Sequence, residues 1–382
     1  MNILITGVTG FLGKVFLLDL LDKHFSKFNK IYVLIRSKKN ESSKKRFQKI
    51  CNNIHLQSKI KPFLNKIFVL DGSLDKKNLD LSEEILKSLE LDIIVNNAAS
   101  VKFNDNINTA YTNNCITVMN LLNCSDKYFL KLKKMIHVST LYVNLPKGEE
   151  HNINIDLDKL LKDINIMELE EINKKYNLCF ENTYVFTKFI AEQLLKRTNN
   201  NFKKYIIRPS IIANSYNFPY PGWNDSFAAY TGFNLSFGTG TVKYILTDNK
   251  NGFSLNTKLN IVPVDYVSSI ITNTIFNNPS EMIINASINN KELLNMKELK
   301  ESLNYYNILN FKGEYQFIDS TFFTFYNFFF EYLYYKFIYY IMLIFNPKYR
   351  NLKYLITDTN GKVLKNSYEL KSLLKNTNWK KL

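Results

Sequence analysis

The chain has 382 residues, 46% hydrophobic and 22% charged, which excludes wholesale disorder and, at roughly 100–200 residues per domain, gives two or three folding units. Four scattered cysteines (Cys51, Cys115, Cys124, Cys179) and four histidines without paired ligand spacing argue against a disulfide framework and against a metal site. The net charge of +16 favours an anionic partner, such as nucleic acid, an anionic membrane or a phosphate-rich small molecule, beside the plain reading of a compositional bias.

The chain opens on a short apolar strand, Asn2-Ile3-Leu4-Ile5, rather than on a basic and then long apolar leader. With cysteines suited to a reducing compartment, the expected location is intracellular, in the cytoplasm or on the cytosolic face of a membrane. Thr6-Gly7-Val8-Thr9-Gly10-Phe11-Leu12-Gly13 follows, then an apolar helical run through Val15, Leu17, Leu18, Leu20 and Leu21, then a second strand over 30–36. Further strands are predicted at 67–70, 91–95, 134–139 and 205–208, with helical patterns at 42–60, 82–90, 107–130 and 182–197. Strand and helix alternate throughout, so the expected fold class is α/β with a doubly wound parallel sheet of the Rossmann type. Domains are expected at 1–277, a dinucleotide-binding domain with substrate-lining segments after 209, and at 278–382, a smaller and mostly helical region.

Three of the chain's 12 glycines fall at Gly7, Gly10 and Gly13, between a strand and a helix. That context suits a dinucleotide: Gly7 for the tight turn, Gly10 for approach of the pyrophosphate, and Gly13 for close helix–strand packing. The Thr-Gly-x-x-Gly-x-x-Gly spacing is the form used by extended short-chain dehydrogenase/reductases. At the end of the second strand, where an NAD site usually places an acid, stand Arg36, Ser37, Lys38 and Lys39. A cation there accepts a 2′-phosphate, so NADPH is the expected cofactor, the alternative being a solvated basic face that continues through Lys44, Lys45, Arg46 and Lys49.

Tyr184 and Lys188 lie four apart in a helical pattern, hence on one face. Lys188 can hold the nicotinamide ribose and lower the phenol pKa, and Tyr184 can give a proton to an oxygen that gains charge. A third hydroxyl is expected from the end of the fifth strand, Thr140 first and Ser139 second. Asn96-Asn97-Ala98-Ala99-Ser100 offers small side chains where backbone covers the adenosine half, and the Asn114 amide is placed to brace that loop.

These residues resemble one family closely, the fatty acyl-CoA reductases with their male-sterility type NAD(P)-binding domain. The likeness runs through TGVTGFLGKV (6–15), IYVLIRSKK (31–39), AASVKF (98–103), IHVSTLYVN (136–144), NTYVFTK (182–188), IIRPSII (206–212), PYPGW (219–223) and IVPVDYV (261–267). It covers about residues 3–275 in matching order. The resemblance implies NADPH-dependent reduction of a long-chain acyl-CoA thioester to aldehyde and on to alcohol. It implies a catalytic group of Thr140 (or Ser139), Tyr184 and Lys188. NADPH contacts are implied for Gly7, Thr9, Gly10, Phe11, Leu12, Gly13, Arg36, Ala98, Asn114, Lys188, Pro209 and Ile211, with Trp223 and its loop at the acyl-thioester entrance. The sequence departs from the family at Gly72-Ser73, where Gly-Asp is usual, and at Asn96-Asn97, where many members carry a His.

An aromatic-dense run over 321–345 contains Glu331 and Lys336 and lacks an uncharged stretch of about 20 residues, so it is too polar to span a bilayer. It reads either as an interfacial membrane element, with residues 321–350 meeting anionic headgroups, or as a buried helix pair over an acyl tunnel. Rival functions are reduction of carrier-protein thioesters, sugar-nucleotide epimerisation, and a non-catalytic dinucleotide-binding protein. Nucleic-acid binding lacks any reading motif.

Overall fold

Strand β1 (Asn2–Thr6) is buried on both faces and runs into the centre of a parallel sheet, as its uninterrupted apolar run requires. The structure, a computed structural model, describes residues 1–38, 40–103, 105–144, 155–226, 244–247, 258–288, 293–295, 298 and 316–319. Chain order continues with α1 (Phe11–His24), β2 (Lys30–Ile35), α2 (Ser43–Cys51), β3 (Ile67–Asp71), α3 (Glu83–Ser88) and β4 (Ile93–Asn96). Next come α4 (Ile107–Tyr111), a single π-helical turn (Thr112–Ile116), α5 (Thr117–Tyr128) and β5 (Lys134–Val138). Helices α6 (Leu157–Asp163), α7 (Leu169–Lys175) and α8 (Thr183–Arg197) precede β6 (Lys203–Pro209), and α9 (Val264–Phe276) leads to β7 (Ile283–Ala286).

The seven strands pair in parallel in the order β7-β6-β5-β4-β1-β2-β3. The order reverses between β1 and β4, and a doubly wound sheet binds its ligand at that switch point, outside the carboxyl ends of the strands. One side of the sheet is packed by Leu4, Leu34, Ile94, Met135 and Ile206 against Leu121, Leu122 and Leu195. Beyond α8, a second apolar cluster joins Phe186, Phe189 and Ile190 to Ile107, Leu160, Ile164 and Ile172. Buried Lys134 gives its ammonium to the carbonyls of Thr274 (3.1 Å) and Ile275 (2.8 Å), satisfying the C-terminal end of α9 with a cation.

Local chemistry explains where the observed elements differ from the predicted ones. The helix expected over 42–60 stops at Cys51 and is followed by a short helix at Gln57–Ile60. Asn53 accepts the His55 N–H at 3.0 Å on its own side chain, a turn that competes with helix. The helix expected over 107–130 is interrupted by its π turn.

The chain divides into two units, Met1–Asp225 with Val262–Ser287, and Ser226–Ile261 with Ile288–Leu382. The expected boundary at 277 therefore moves. β7 lies beyond it yet pairs with β6 along the sheet edge, and 226–261 leaves the first unit. Among its described residues the second unit carries a parallel pair, Gln316–Asp319 with Tyr244–Thr247, and an antiparallel pair, Leu294–Asn295 with Lys258–Leu259. The aromatic run 321–345, the membrane contact expected over 321–350 and the helical character expected of the C-terminal region lie largely or wholly outside the described residues. Among the described residues no helix is long and apolar enough to cross a membrane.

Candidate active site

The turn from β1 into α1 can be built only with glycine at two positions. Gly7 has φ +74°, and a Cβ there would lie 2.8 Å from the backbone of Asn97 and Ala98. A Cβ on Gly13 would lie 2.1 Å from the Gly7 carbonyl oxygen, so α1 touches the turn directly. Gly10 is the N-cap of α1, without a side-chain cap and with no acid in the first turn. The first-turn N–H groups have no partner within the helix and carry its positive dipole end, at the switch point. Phe11 and Leu12 follow as the first two residues of that helix, Phe11 half-buried and Leu12 buried. These features fit a dinucleotide pyrophosphate.

Arg36 is exposed at the end of β2. Arg46 of α2 reaches the same place, donating from Nη1 to the Arg36 carbonyl at 2.5 Å and from Nη2 to the Thr9 hydroxyl at 3.3 Å. Sequence reading named Arg46 only in the alternative of a solvated basic face, and the available signal was its place in the first turn after Ser42, the N-cap of α2. Asp71, two places before Ser73, accepts the Ser37 hydroxyl at 2.9 Å and so steadies the loop after β2.

Three polar side chains converge at the carboxyl end of β5. Asn182 starts α8 by accepting the Val185 N–H at 2.9 Å, which sets Tyr184 in the first turn and Lys188 one turn later. Thr140, just past β5, lies near enough to the Tyr184 hydroxyl to pull its pKa down, and accepts the Tyr142 N–H on Oγ1 at 3.4 Å; the Tyr184 ring lies 5.7 Å from that of Phe103. Lys188 is 2% exposed and donates to the Val138 carbonyl at 2.6 Å. Burial pushes Tyr184 up to about 12, against a downward pull from Thr140. Burial lowers Lys188 to about 8, with Glu192 and Cys115 acting in the other direction. The sequence-based expectation that Lys188 lowers the phenol therefore does not describe this arrangement: burial dominates, and the ammonium is given to Val138. Ser139, the second choice for the hydroxyl, is buried, and its Oγ has no partner among the described residues.

Asn114 sits inside the π turn and is 2% exposed. Its amide donates to Ser100 O (3.1 Å) and Thr187 Oγ1 (3.0 Å) and accepts the Ser100 N–H (2.8 Å), tying the loop after β4 to α8. The brace read from the sequence is present: both amide N–H donors and one lone pair of Oδ1 are committed to it. Nearby, Thr6 Oγ1 accepts the N–H groups of Asn97 (3.1 Å) and Ala98 (3.0 Å) and donates to Asn96 Oδ1 at 2.9 Å. This orients Asn96 Nδ2 toward His137 Nδ1 at 3.1 Å, leaving the ring proton on Nε2. Burial and then the charge of Lys188 hold His137 well below the usual imidazole range, so it is neutral. Sequence reading missed His137, which looks like any other member of a buried strand.

Pro209 ends β6 and is buried, while Ile211 is half-buried in the segment that follows. Arg208 donates to Glu192 from Nε (3.0 Å) and Nη2 (2.6 Å), a buried bidentate pair one turn along α8 from Lys188. Trp223 is 3% exposed and stacks on Phe11 with ring centroids 5.4 Å apart.

Comparison with known proteins adds to this geometry. The family model described as "Male sterility protein" matches residues 5–271. The chain is 31% identical over 278 residues to fatty acyl-CoA reductase 1 of Homo sapiens, covering 70% of this chain and 52% of that one. It is 29% identical over 312 residues to probable fatty acyl-CoA reductase 4 of Arabidopsis thaliana, covering 70% and 62%. The chain thus spans about half the length of the human reductase it matches. Among solved structures, the terminal R domain of the myxalamid PKS-NRPS pathway superposes with a TM-score of 0.61 at 20% identity, covering 98% of this chain and 85% of that one. UDP-glucose 4-epimerase of Thermotoga maritima superposes with a TM-score of 0.53 at 16% identity, covering 84% and 86%, a likeness of fold. With the family model matched from β1 to within α9 and the glycine turn at the switch point of its sheet, the chain belongs to the male sterility protein family of NAD-binding domains.

Proposed function

We propose that this chain is an NADPH-dependent reductase of long-chain fatty acyl-CoA thioesters, which takes the thioester to aldehyde with release of CoA and the aldehyde on to alcohol. The observation that carries the reading is the grouping at the carboxyl end of β5, where buried Lys188 donates to the Val138 carbonyl, Thr140 follows the strand and Tyr184 stands one turn before Lys188 on α8. A protein that only holds a dinucleotide has no need of such a group. The names of the curated relatives support the acyl-CoA class.

The glycine turn and the α1 N-terminus would hold the pyrophosphate, Arg36 and Arg46 the 2′-phosphate, and Lys188 the nicotinamide ribose. When bound, NADPH supplies the hydride. The chain's own residues handle the oxygen. A thioester carbonyl oxygen gains negative charge as its carbon is reduced, and Thr140 and Tyr184 are the donors that meet it. At about 12 the phenol stays protonated at neutral pH, so Tyr184 has a proton to give. Breaking the C–S bond releases the thiolate and leaves the aldehyde; its reduction to alcohol would use the hydride of a second NADPH, with Tyr184 giving the aldehyde oxygen its proton. Neutral His137 adds no charge that would compete with Lys188 for the anion.

The test is consumption of NADPH with palmitoyl-CoA, palmitoyl-loaded acyl carrier protein and UDP-glucose, with products identified by mass spectrometry. Hexadecanal and hexadecanol from the CoA ester support the reading. Turnover confined to the carrier-bound ester or to the sugar nucleotide would replace it. The intracellular location and the membrane contact through 321–350 remain part of this proposal. Full recovery of expressed protein without detergent or carbonate would count against the contact.

A further inference from the structure

Asp265, in the first turn of α9, is 8% exposed, and its carboxylate is consumed by one loop. It accepts three consecutive backbone N–H groups after β6, from Tyr216 and Asn217 at 2.8 Å and from Phe218 at 3.0 Å. Hydrogen bonds to an ionised acceptor are roughly twice as strong as neutral ones. The loop then closes on itself. Ser215 N–H donates to the Trp223 carbonyl at 3.1 Å, Gly222 N–H to the Ser215 carbonyl at 2.9 Å, and Trp223 N–H to Ser215 Oγ at 2.9 Å. Apolar burial does not hold this loop from outside, since Tyr216 is 61% and Tyr220 38% exposed. What the loop delivers is Trp223, which stacks on Phe11 at the first helical residue after Gly10. Lys14, one turn further along α1, pairs with Asp225 just past the loop.

A continuous set of contacts therefore runs from the Asp265 carboxylate through the 215–223 loop to the helix start that receives the pyrophosphate. We infer that Asp265 is a positioning residue for the dinucleotide turn, acting through Trp223 and Phe11. The inference rests on the proposed cofactor site and adds to it a residue remote from the cofactor.

Asp265→Asn keeps the size of the side chain but turns an N–H donor toward backbone donors. NADPH affinity is measured by calorimetry, without any substrate, for the wild type, Asp265→Asn, Trp223→Leu and the double variant. Each single variant is expected to bind about tenfold more weakly, the scale of one lost charge-assisted hydrogen bond, and the double no more weakly than the worse single. Emission is read in a Trp379→Phe background, where Trp223 is the remaining indole of the chain's 2. It is expected to shift to the red in Asp265→Asn before any cofactor is added. Should Asp265→Asn fail to fold, Ser215→Ala, which removes the Oγ bond to the Trp223 N–H and keeps the carboxylate, is expected to give an emission shift in the same direction and a smaller loss of affinity. Unchanged affinity in a folded Asp265→Asn, or in Ser215→Ala if that is the variant available, overturns the inference alone, as do additive losses in the double variant. A wild type that binds no NADPH overturns the cofactor reading and this inference with it.

Discussion

Lys188 crosses from α8 to the end of β5 and gives its ammonium to the Val138 carbonyl at 2.6 Å. That bond fixes a cation below the strand end where Thr140 lies near Tyr184. It also places the charge where burial lowers its proton affinity to about 8. The lysine is thus a cation at neutral pH with an upper limit within experimental reach.

The pH dependence follows. Burial favours the neutral amine, so the ammonium is present below about pH 8 and lost above it. Turnover with acyl-CoA is expected to fall on the alkaline side with an apparent pKa near 8, and Tyr184, at about 12, is not expected to contribute a limb there. Glu192 raises Lys188, so Glu192→Gln is expected to move the alkaline limb to lower pH. The same variant weakens the bidentate pair with Arg208, for which complete loss of a partner costs about 3–5 kcal/mol, so its melting temperature is expected to fall as well. Rate profiles between pH 6 and 10 check the sign.

Removing the phenol hydroxyl separates chemistry from packing. Tyr184→Phe keeps the ring beside Phe103 and loses a donor commonly worth roughly 2.7–4 kcal/mol, so kcat is expected to fall by about two to three orders of magnitude with little change in melting temperature. Thr140→Val is expected to follow it in direction. Ser139→Ala, at a hydroxyl without a partner among the described residues, is expected to change kcat much less. Steady-state kinetics on the three variants decides between the two hydroxyls.

The two arginines at the end of β2 bear on the choice of cofactor. Arg36→Ala and Arg46→Ala are each expected to weaken NADPH binding about tenfold or more and to leave NADH binding nearly unchanged, because only the 2′-phosphate meets the guanidinium groups. Arg46→Ala also removes the bonds to Thr9 and the Arg36 carbonyl, so it is expected to be the more damaging of the two. Equal losses for the two dinucleotides would place the arginines elsewhere.

Asn114→Ala tests the π turn. It deletes three hydrogen bonds that join Ser100 to Thr187, and a buried polar group left without its partner costs about 1–3 kcal/mol. Denaturant unfolding is expected to show a loss of that size. Turnover is expected to fall with it, because α8 carries both Tyr184 and Lys188.

Much of this site is legible in the residues because it depends on short-range rules. Gly7 must take a positive φ, Gly13 must lack a side chain, and Tyr184 and Lys188 share a helix face at a spacing of four. What escaped depends on contacts across the fold. Arg46 is one cation in a basic run until α2 turns it onto Thr9. The π turn adds a residue to a helix whose apolar period continues on either side, so Asn114 gives no local sign of it. His137 is one of five consecutive buried residues in β5, and among the described residues Asn96, 41 positions earlier, gives its ring an orientation. Strand β7 is short and partly exposed, and its pairing with β6 determines it more than its composition does.

The most direct test of the central claim uses NADPH deuterated at C4 in a single turnover with palmitoyl-CoA. The wild type is expected to place the label on C1 of the aldehyde and of the alcohol, and Tyr184→Phe to do so at least a hundredfold more slowly while binding the dinucleotide normally. Label absent from C1, or transferred by Tyr184→Phe at the wild-type rate, would contradict it.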